Sequence, residues 1–194
     1  MARSGERKNQ ILQTLALMLE GPAAERITTA ALASRIGVSE AALYRHFKGK
    51  ADMFAALIDF VEQTVFSLIN KIASEEKSGL RQTEAMISML LGFAQKNRGM
   101  TRVLIGDALV TEDESLQARI NQIHDRLEAA LKQALRFAVT QQEVAADADL
   151  AAQANILMSF VGGRWHQYAK SGFRREPAEF WQIQWKQLME GVLA

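Results

Sequence analysis

Along almost all of this 194-residue chain, apolar residues recur at intervals of three and four, the spacing of one face of an α-helix. No stretch shows the strict alternation, bounded by turn residues, that marks a half-buried strand. The pattern predicts a first helix over about 7–19 and two short helices within 27–47. A long fourth helix follows over about 50–74, carrying Met53, Leu57, Val61, Val65, Leu68 and Ile72 on its buried side. Gly79 reads as a break, and a fifth helix is expected over about 81–95 through Met86, Met89, Leu90 and Phe93. Asn97-Arg98-Gly99 has the composition of a C-cap, with a short helix expected to follow it through Val103 to Leu109. A long helix over about 113–137 opens on Glu112, Asp113 and Glu114, acidic residues well placed against a helix dipole. Two more are expected over about 147–170 and 179–193, separated by a loop ending in Pro177. The fold class is therefore all-α, with about nine helices. The fourth helix is expected to carry the amino-terminal head on the rest of the chain without a flexible linker.

Residues 27–54 are the most specific segment. Thr28 and Thr29 offer an N-cap, and Leu32, Ala33 and Ile36 form one apolar stripe. Gly37 supplies a tight turn, Val38 plugs it, and Ser39 is suited to cap the next helix. Small Ala33 and Gly37 permit the close crossing of a helix-turn-helix, whose second helix enters the DNA major groove. At 100° per residue, Phe47 lies about 40° from Leu43 on the core side. Ala41, Tyr44, Arg45 and Lys48 then face outward, with Glu40 and His46 near the borders. Ala41 suits a thymine methyl, Arg45 a guanine edge or a phosphate, and Glu40 a cytosine amino group. Tyr44, Lys48 and Lys50 suit phosphates, which hold register, and Thr28 and Thr29 can serve a neighbouring phosphate.

This order of parts resembles the TetR family of bacterial regulators. The resemblance rests on Tyr44-Arg45-His46-Phe47, which matches the Tyr-x-His-Phe run closing that family's recognition helix. Lys50 matches the lysine that begins its fourth helix, followed by apolar Met53, Phe54 and Leu57. The resemblance implies a TetR-like fold, with a DNA-binding head over 1–50 and a helical dimerisation and partner-binding body over 51–194. It also implies phosphate contacts for Tyr44 and Lys50.

Charge sharpens this division. Residues 1–50 hold eight Lys/Arg against four Asp/Glu, and 51–194 hold fifteen against eighteen, within a net charge of +1. The basic excess sits where phosphate binding needs it, and Arg3, Arg7 and Lys8 are expected to form a short arm on the DNA backbone. Cysteine is absent, the amino terminus is polar, and the longest apolar stretch, 85–94, is about half a membrane span. A cytoplasmic, nucleoid-associated protein outside the membrane is the expectation. His46, His124 and His166 are far apart, and no phosphate loop, nucleophile elbow or metal motif occurs. His124-Asp125 reads as a solvated helix pair. No catalytic residue, cofactor or metal is expected, and the chain is not expected to be an enzyme.

The last two helices argue for a homodimer. Ile156, Leu157, Phe160, Trp165 and Tyr168 crowd one, while Phe180, Trp181, Ile183, Trp185 and Leu188 nearly surround the other. Gly162 and Gly163 sit mid-helix, which fits either the close approach of a second backbone or a local kink. Members of the TetR family pair these helices about a two-fold axis. The expected interface is Phe160, Gly163, Trp165, Trp181 and Trp185, with DNA half-sites about 34–36 Å apart.

Two regulatory readings follow from the resemblance. Most TetR-family members are repressors whose body binds a small-molecule effector; under that alternative the place for one would be an apolar pocket between helices five, seven and eight. The nucleoid-occlusion branch instead binds dispersed sites on double-stranded DNA and, when bound, antagonises FtsZ, the tubulin-like division GTPase. The chain is similar to that branch in QILQTLALMLE (10–20), RITTAALASRIGVSEAALYRHF (26–47) and LLGFAQKN (90–97), and less densely in RINQIHDRLEAALKQALR (119–136). The similarity implies an FtsZ-binding face on helices four and five, at Phe60, Gly92, Lys96 and Asn97. Lys96 stands where that branch has arginine, and Leu68 where it has a basic residue; an ammonium does not replace a guanidinium fork.

Overall fold

The computed structural model describes residues 4–21, 27–110 and 112–193, so Arg3 and Pro22 lie outside the described residues. The described chain runs α1 (Ser4–Met18), α2 (Thr29–Ile36), α3 (Glu40–Tyr44), α4 (Lys50–Glu75), α5 (Gly79–Lys96), α6 (Arg98–Leu104), α7 (Glu114–Thr140), α8 (Leu150–Lys170) and α9 (Trp181–Met189). Among the described residues the only β-type pairing is an isolated antiparallel bridge between Val144 and Leu193.

The helices group into two compact units. The first takes residues 1–61 and 97–120. Its core is built on Ile11, Leu15, Leu32, Leu43, Phe47 and Phe54, all buried. The second takes residues 62–96 and 121–194. Its core includes Ile87, Leu90, Leu131, Leu135, Leu157, Val161 and Trp165.

Helix starts follow the chemistry of their caps. Asp149 accepts from the backbone N–H groups of Ala151 (3.0 Å) and Ala152 (3.1 Å) and so opens α8. Those bonds, Ala152 first, hold its carboxyl below the ordinary 3.8. Asp113 before α7 is lowered in the same direction by its hydrogen bonds to Ser115.

Two glycines play parts that composition misplaced. Gly79 does not break the chain but begins α5. A Cβ there would lie 2.2 Å from the Ala138 backbone nitrogen, so only glycine lets α5 meet α7 this closely. The α5 amino terminus is satisfied from far along the chain: Gly79 N–H donates to Gln141 Oε1 (2.8 Å) and Leu80 N–H to Glu143 Oε2 (2.9 Å). Gly99 is not a C-cap either. It lies inside α6, where a Cβ would stand 2.0 Å from the Ala16 carbonyl oxygen. The sixth helix accordingly starts at Arg98, inside the expected cap, and ends at Leu104, short of the expected Leu109.

Arg7 and Lys8 are also placed differently from the expected arm. Both are helical residues of α1; Arg7 bonds Gln10, and Lys8 Nζ sits 5.0 Å over the Phe47 ring. The last helix is shorter than expected, nine residues from Trp181 to Met189.

Candidate nucleic-acid interface

The head is assembled by short-range bonds. Thr28 accepts the Ala31 N–H at 3.1 Å, which caps α2. At its other end Gly37 adopts φ +74, and two backbone bonds close the turn: Gly37 N–H to Ser34 O (3.1 Å) and Val38 N–H to Ala33 O (3.0 Å). That pattern leaves the helix with a left-handed residue that favours glycine. Ser39 then accepts the Ala42 N–H at 3.3 Å and opens α3.

Leu43 of α3 is buried, as are Leu32 and Ala33 of α2 and Phe47 beyond the end of α3, and the burial of Leu43 sets the rotation of α3. Ala41 and Tyr44 within α3 are left exposed, as their helical angles require, and Tyr44 is 50% exposed. α3 ends at Tyr44 and not at Phe47, so Arg45 and Lys48, also exposed, stand in the turn that follows it. His46 is half-buried at the border. One exposed strip thus presents a methyl, a phenol, a guanidinium and an ammonium, groups that suit thymine methyls, guanine edges and phosphates.

The polar residues around this strip are already engaged. The Thr29 hydroxyl donates to Glu40 Oε2 (2.8 Å) and accepts from Tyr44 OH (3.5 Å). Its proton is therefore committed to Glu40, whereas the cap hydroxyls of Thr28 and Ser39 accept backbone bonds and keep their own protons to donate. Lys50 forms an ion pair with Glu112, whose side chain is only 9% exposed. Its Nζ also lies 5.7 Å from the Phe54 ring centre. Reading 27–54 alone missed Glu112, because 62 positions separate it from Lys50.

The residues expected to face a partner protein divide between the units. Phe60 and Asn97 belong to the first, and Gly92 and Lys96 to the second. Phe60 is 47% exposed and joins Leu12, Leu17, Leu57 and Met100 along an open groove of about 580 Å³. Lys96 is exposed at the end of α5, and Gly92 has open space where a Cβ would go.

The expected dimer residues need correction. Trp165 is fully buried within the chain, donating its indole N–H to Leu90 O at 3.2 Å. Trp181 and Trp185 are also buried, their rings 5.5 Å apart, with Phe160 half-buried against Trp181. Side chains that fill their own core are not available to a second copy. Gly163 is exposed, with nothing within 4 Å of a Cβ position, and Ile156, Phe180 and Ile183 are exposed nearby in sequence. Helical angle was the available signal: Ile156 and Gly163 are seven residues apart and share a face of α8, while Ile183 lies opposite Trp181 and Trp185 on α9. His124 is no solvated partner of Asp125; its ring packs 5.9 Å from Trp165.

Among the described residues, no group of three or more His, Cys, Asp and Glu is placed to hold a metal ion. No described helix is long and apolar enough to cross a membrane.

Comparisons with known proteins agree with this geometry. Residues 18–57 match the family described as bacterial regulatory proteins, tetR family, and residues 77–192 match the tetracyclin repressor-like C-terminal domain of the SlmA-like kind. The nucleoid occlusion factor SlmA of Alteromonas mediterranea is 49% identical over 92% of this chain and 92% of its own. The factor of the same name from a Marinomonas species is 44% identical over 98% and 97%. A solved TetR-family transcriptional regulator from Agrobacterium tumefaciens superposes with a TM-score of 0.80 over 99% of this chain and 100% of its own, at 19% identity, and so speaks to the fold. With both segments matched and such relatives along nearly its whole length, the chain belongs to the TetR family of DNA-binding regulators, among those most similar to the nucleoid occlusion factors.

Proposed function

We propose that the chain is a nucleoid-occlusion factor: a homodimer that, bound to dispersed chromosomal sites, antagonises FtsZ assembly and keeps the septum off the nucleoid. The observation that carries this reading is identity of 44–49% to nucleoid occlusion factors through the body as well as the head. Residues 1–50 act as the DNA-binding head, and residues 51–194 as the dimerisation and partner-binding body. Thr28, Ser39, Ala41, Tyr44, Arg45 and Lys48 make the DNA contacts, with Thr29, Glu40, His46 and Lys50 at the edge of the strip. Phe60 and Asn97 of the first unit, and Gly92 and Lys96 of the second, are the residues that face FtsZ. Support for that assignment comes from Phe60, an exposed aromatic on an apolar groove, the kind of residue on which interfaces concentrate their energy.

The test measures polymerisation of purified FtsZ with the protein and a duplex carrying its site. Inhibition that needs the duplex, and that Lys96→Glu removes while DNA affinity stays unchanged, is the expected result. FtsZ assembly indifferent to the DNA-bound protein rejects the reading and leaves a TetR-type repressor governed by a small-molecule effector. Mapping by crosslinking separates the two in the cell: dispersed sites away from promoters fit occlusion, and one or a few promoters fit the repressor.

A further inference from the structure

The turn that follows α8 is held in place by more constraints than a surface loop requires. Gly172 and Phe173 both take left-handed backbone angles, φ +65 and +62. For phenylalanine that conformation is strained, and such strain persists only where the surroundings over-determine it. They do so here. The Phe173 ring is buried edge-on against Tyr168, with ring centres 5.1 Å apart, and Tyr168 OH donates to Gln95 O at 3.0 Å. The Ser171 hydroxyl accepts the backbone N–H groups of Arg174 (3.1 Å) and Arg175 (2.9 Å). Arg164 clasps the segment beyond through the carbonyls of Glu176, Pro177 and Glu179.

The result is a gathering of positive charge on a fixed backbone. Lys170, Arg174 and Arg175, with His166, Gln167 and Ser171, line an open cavity of about 440 Å³. Arg174 donates Nε to Ser171 O, which orients its guanidinium and leaves both terminal nitrogens available. Among the described residues, none of the three cations has a carboxylate within ion-pair distance. Three of the last four α8 carbonyls are covered, Gln167 O by Ser171 N–H, Tyr168 O by Phe173 N–H and Ala169 O by Gly172 N–H, which lessens their repulsion of an anion. Three cations held together without a counter-charge repel one another, and a multiply charged anion relieves that repulsion.

We propose that this cavity binds a compact, soluble oligophosphate through Lys170, Arg174 and Arg175. Guanidinium forks match phosphate oxygens in pairs, and the lysine adds a point charge. A single carboxylate would leave two of the cations unneutralised. The underlying rings of Tyr168 and Phe173 are buried, so the ligand is held by its charge and not by an apolar body. The cavity belongs to the second compact unit and the reading strip of α3 to the first, and the site does not depend on the identity of the protein partner.

Titration calorimetry of the full chain with pyrophosphate, at constant ionic strength and with sulfate as control, tests it. Saturable binding of one pyrophosphate per chain is expected, with sulfate far weaker. Arg175→Gln, and independently Lys170→Gln, should each weaken pyrophosphate binding about tenfold, the scale of one charge-assisted hydrogen bond. Thermal midpoints of both variants should equal or exceed the parent's, and sedimentation should match it, since neither side chain makes a structural bond in the chain and each substitution removes one repelling charge. Non-saturable binding, or equal binding by parent and variants, overturns the proposal. So does the outcome in which pyrophosphate fails to bind while Arg175→Gln lowers affinity for mixed-sequence duplex DNA; the cations would then serve a nucleic-acid backbone.

Discussion

The reading head and the α8–α9 region hold their working faces by opposite means. In the head, the cap bonds of Thr28 and Ser39 span three residues each, and the Thr29–Glu40 bond spans eleven. In α8, Trp165 and Tyr168 are tied to Leu90 and Gln95, 75 and 73 residues away. A face built from neighbours along the chain is specified as soon as two short helices and their turn form. A face built across such distances exists only after α5 and α8 have packed. The difference teaches how exposure separates roles: in the head the exposed Ala41, Tyr44, Arg45 and Lys48 are distinct from buried Leu43 and Phe47, with only the cap residues Thr28 and Ser39 common to fold and proposed contact, whereas aromatic residues in α8 and α9 that suggest an interface prove to be core.

The contrast is broken most sharply at Trp165. Trp165→Ala should cost about 3–5 kcal/mol of stability, as expected for truncating a fully buried tryptophan, read from the urea midpoint. A loss of dimer at unchanged chain stability would return Trp165 to the interface.

Gly99→Ala comes next. With the Ala16 backbone where the methyl must go, it should destabilise the chain by roughly 1–3 kcal/mol or more, the usual scale of overpacking. Gly163→Leu meets no such obstacle within the chain. It should leave the far-ultraviolet spectrum unchanged and shift sedimentation toward monomer; an unchanged dimer would show that Gly163 faces solvent in the assembly.

Arg45→Ala tests the head from the other side. Under the proposed guanine contact, the variant should lose about 1–3 kcal/mol of discrimination at one base position, with the thermal midpoint unmoved; a uniform loss across sequences would assign Arg45 to a phosphate. Lys48→Gln should instead weaken all sequences alike and reduce the salt slope by about one. A fall in thermal stability of either variant would mean that the exposed strip also holds the fold.

The smallest effect belongs to Asp149→Asn. The folded carboxyl is lowered from 3.8 by its α8 cap bonds, so its contribution is complete above that value and disappears as pH falls through the lowered one. The parent should therefore have a slightly higher thermal midpoint than the variant at neutral pH. That gap should close in acid; a gap independent of pH would assign the effect to geometry and not to charge.

Much of this was legible because helical periodicity and cap chemistry are short-range. The nine helices among the described residues and the rotation of α3 about Leu43 follow from residues within a turn or two of one another. Gly79 and Gly99 were not legible, because glycine next to a helix reads as a stop while its use here is to admit another backbone. The Lys50–Glu112 pair and the Gln141 and Glu143 caps of α5 were equally hidden, since their partners lie 62 and 63 residues apart.

By itself, the sequence determined the all-α class, the helix-turn-helix and the outward set Ala41, Tyr44, Arg45 and Lys48, together with the family to which those motifs belong. Hydrophobic spacing and capping are properties of consecutive residues and need nothing more. Only the tertiary structure decided that Trp165, Trp181 and Trp185 turn inward, that Ile156 and Ile183 remain outside, and that Lys170, Arg174 and Arg175 gather around one cavity. Each of those outcomes depends on which helix packs against which. An apolar side chain is attracted equally to its own core and to a partner, and only the packed chain shows which it has reached.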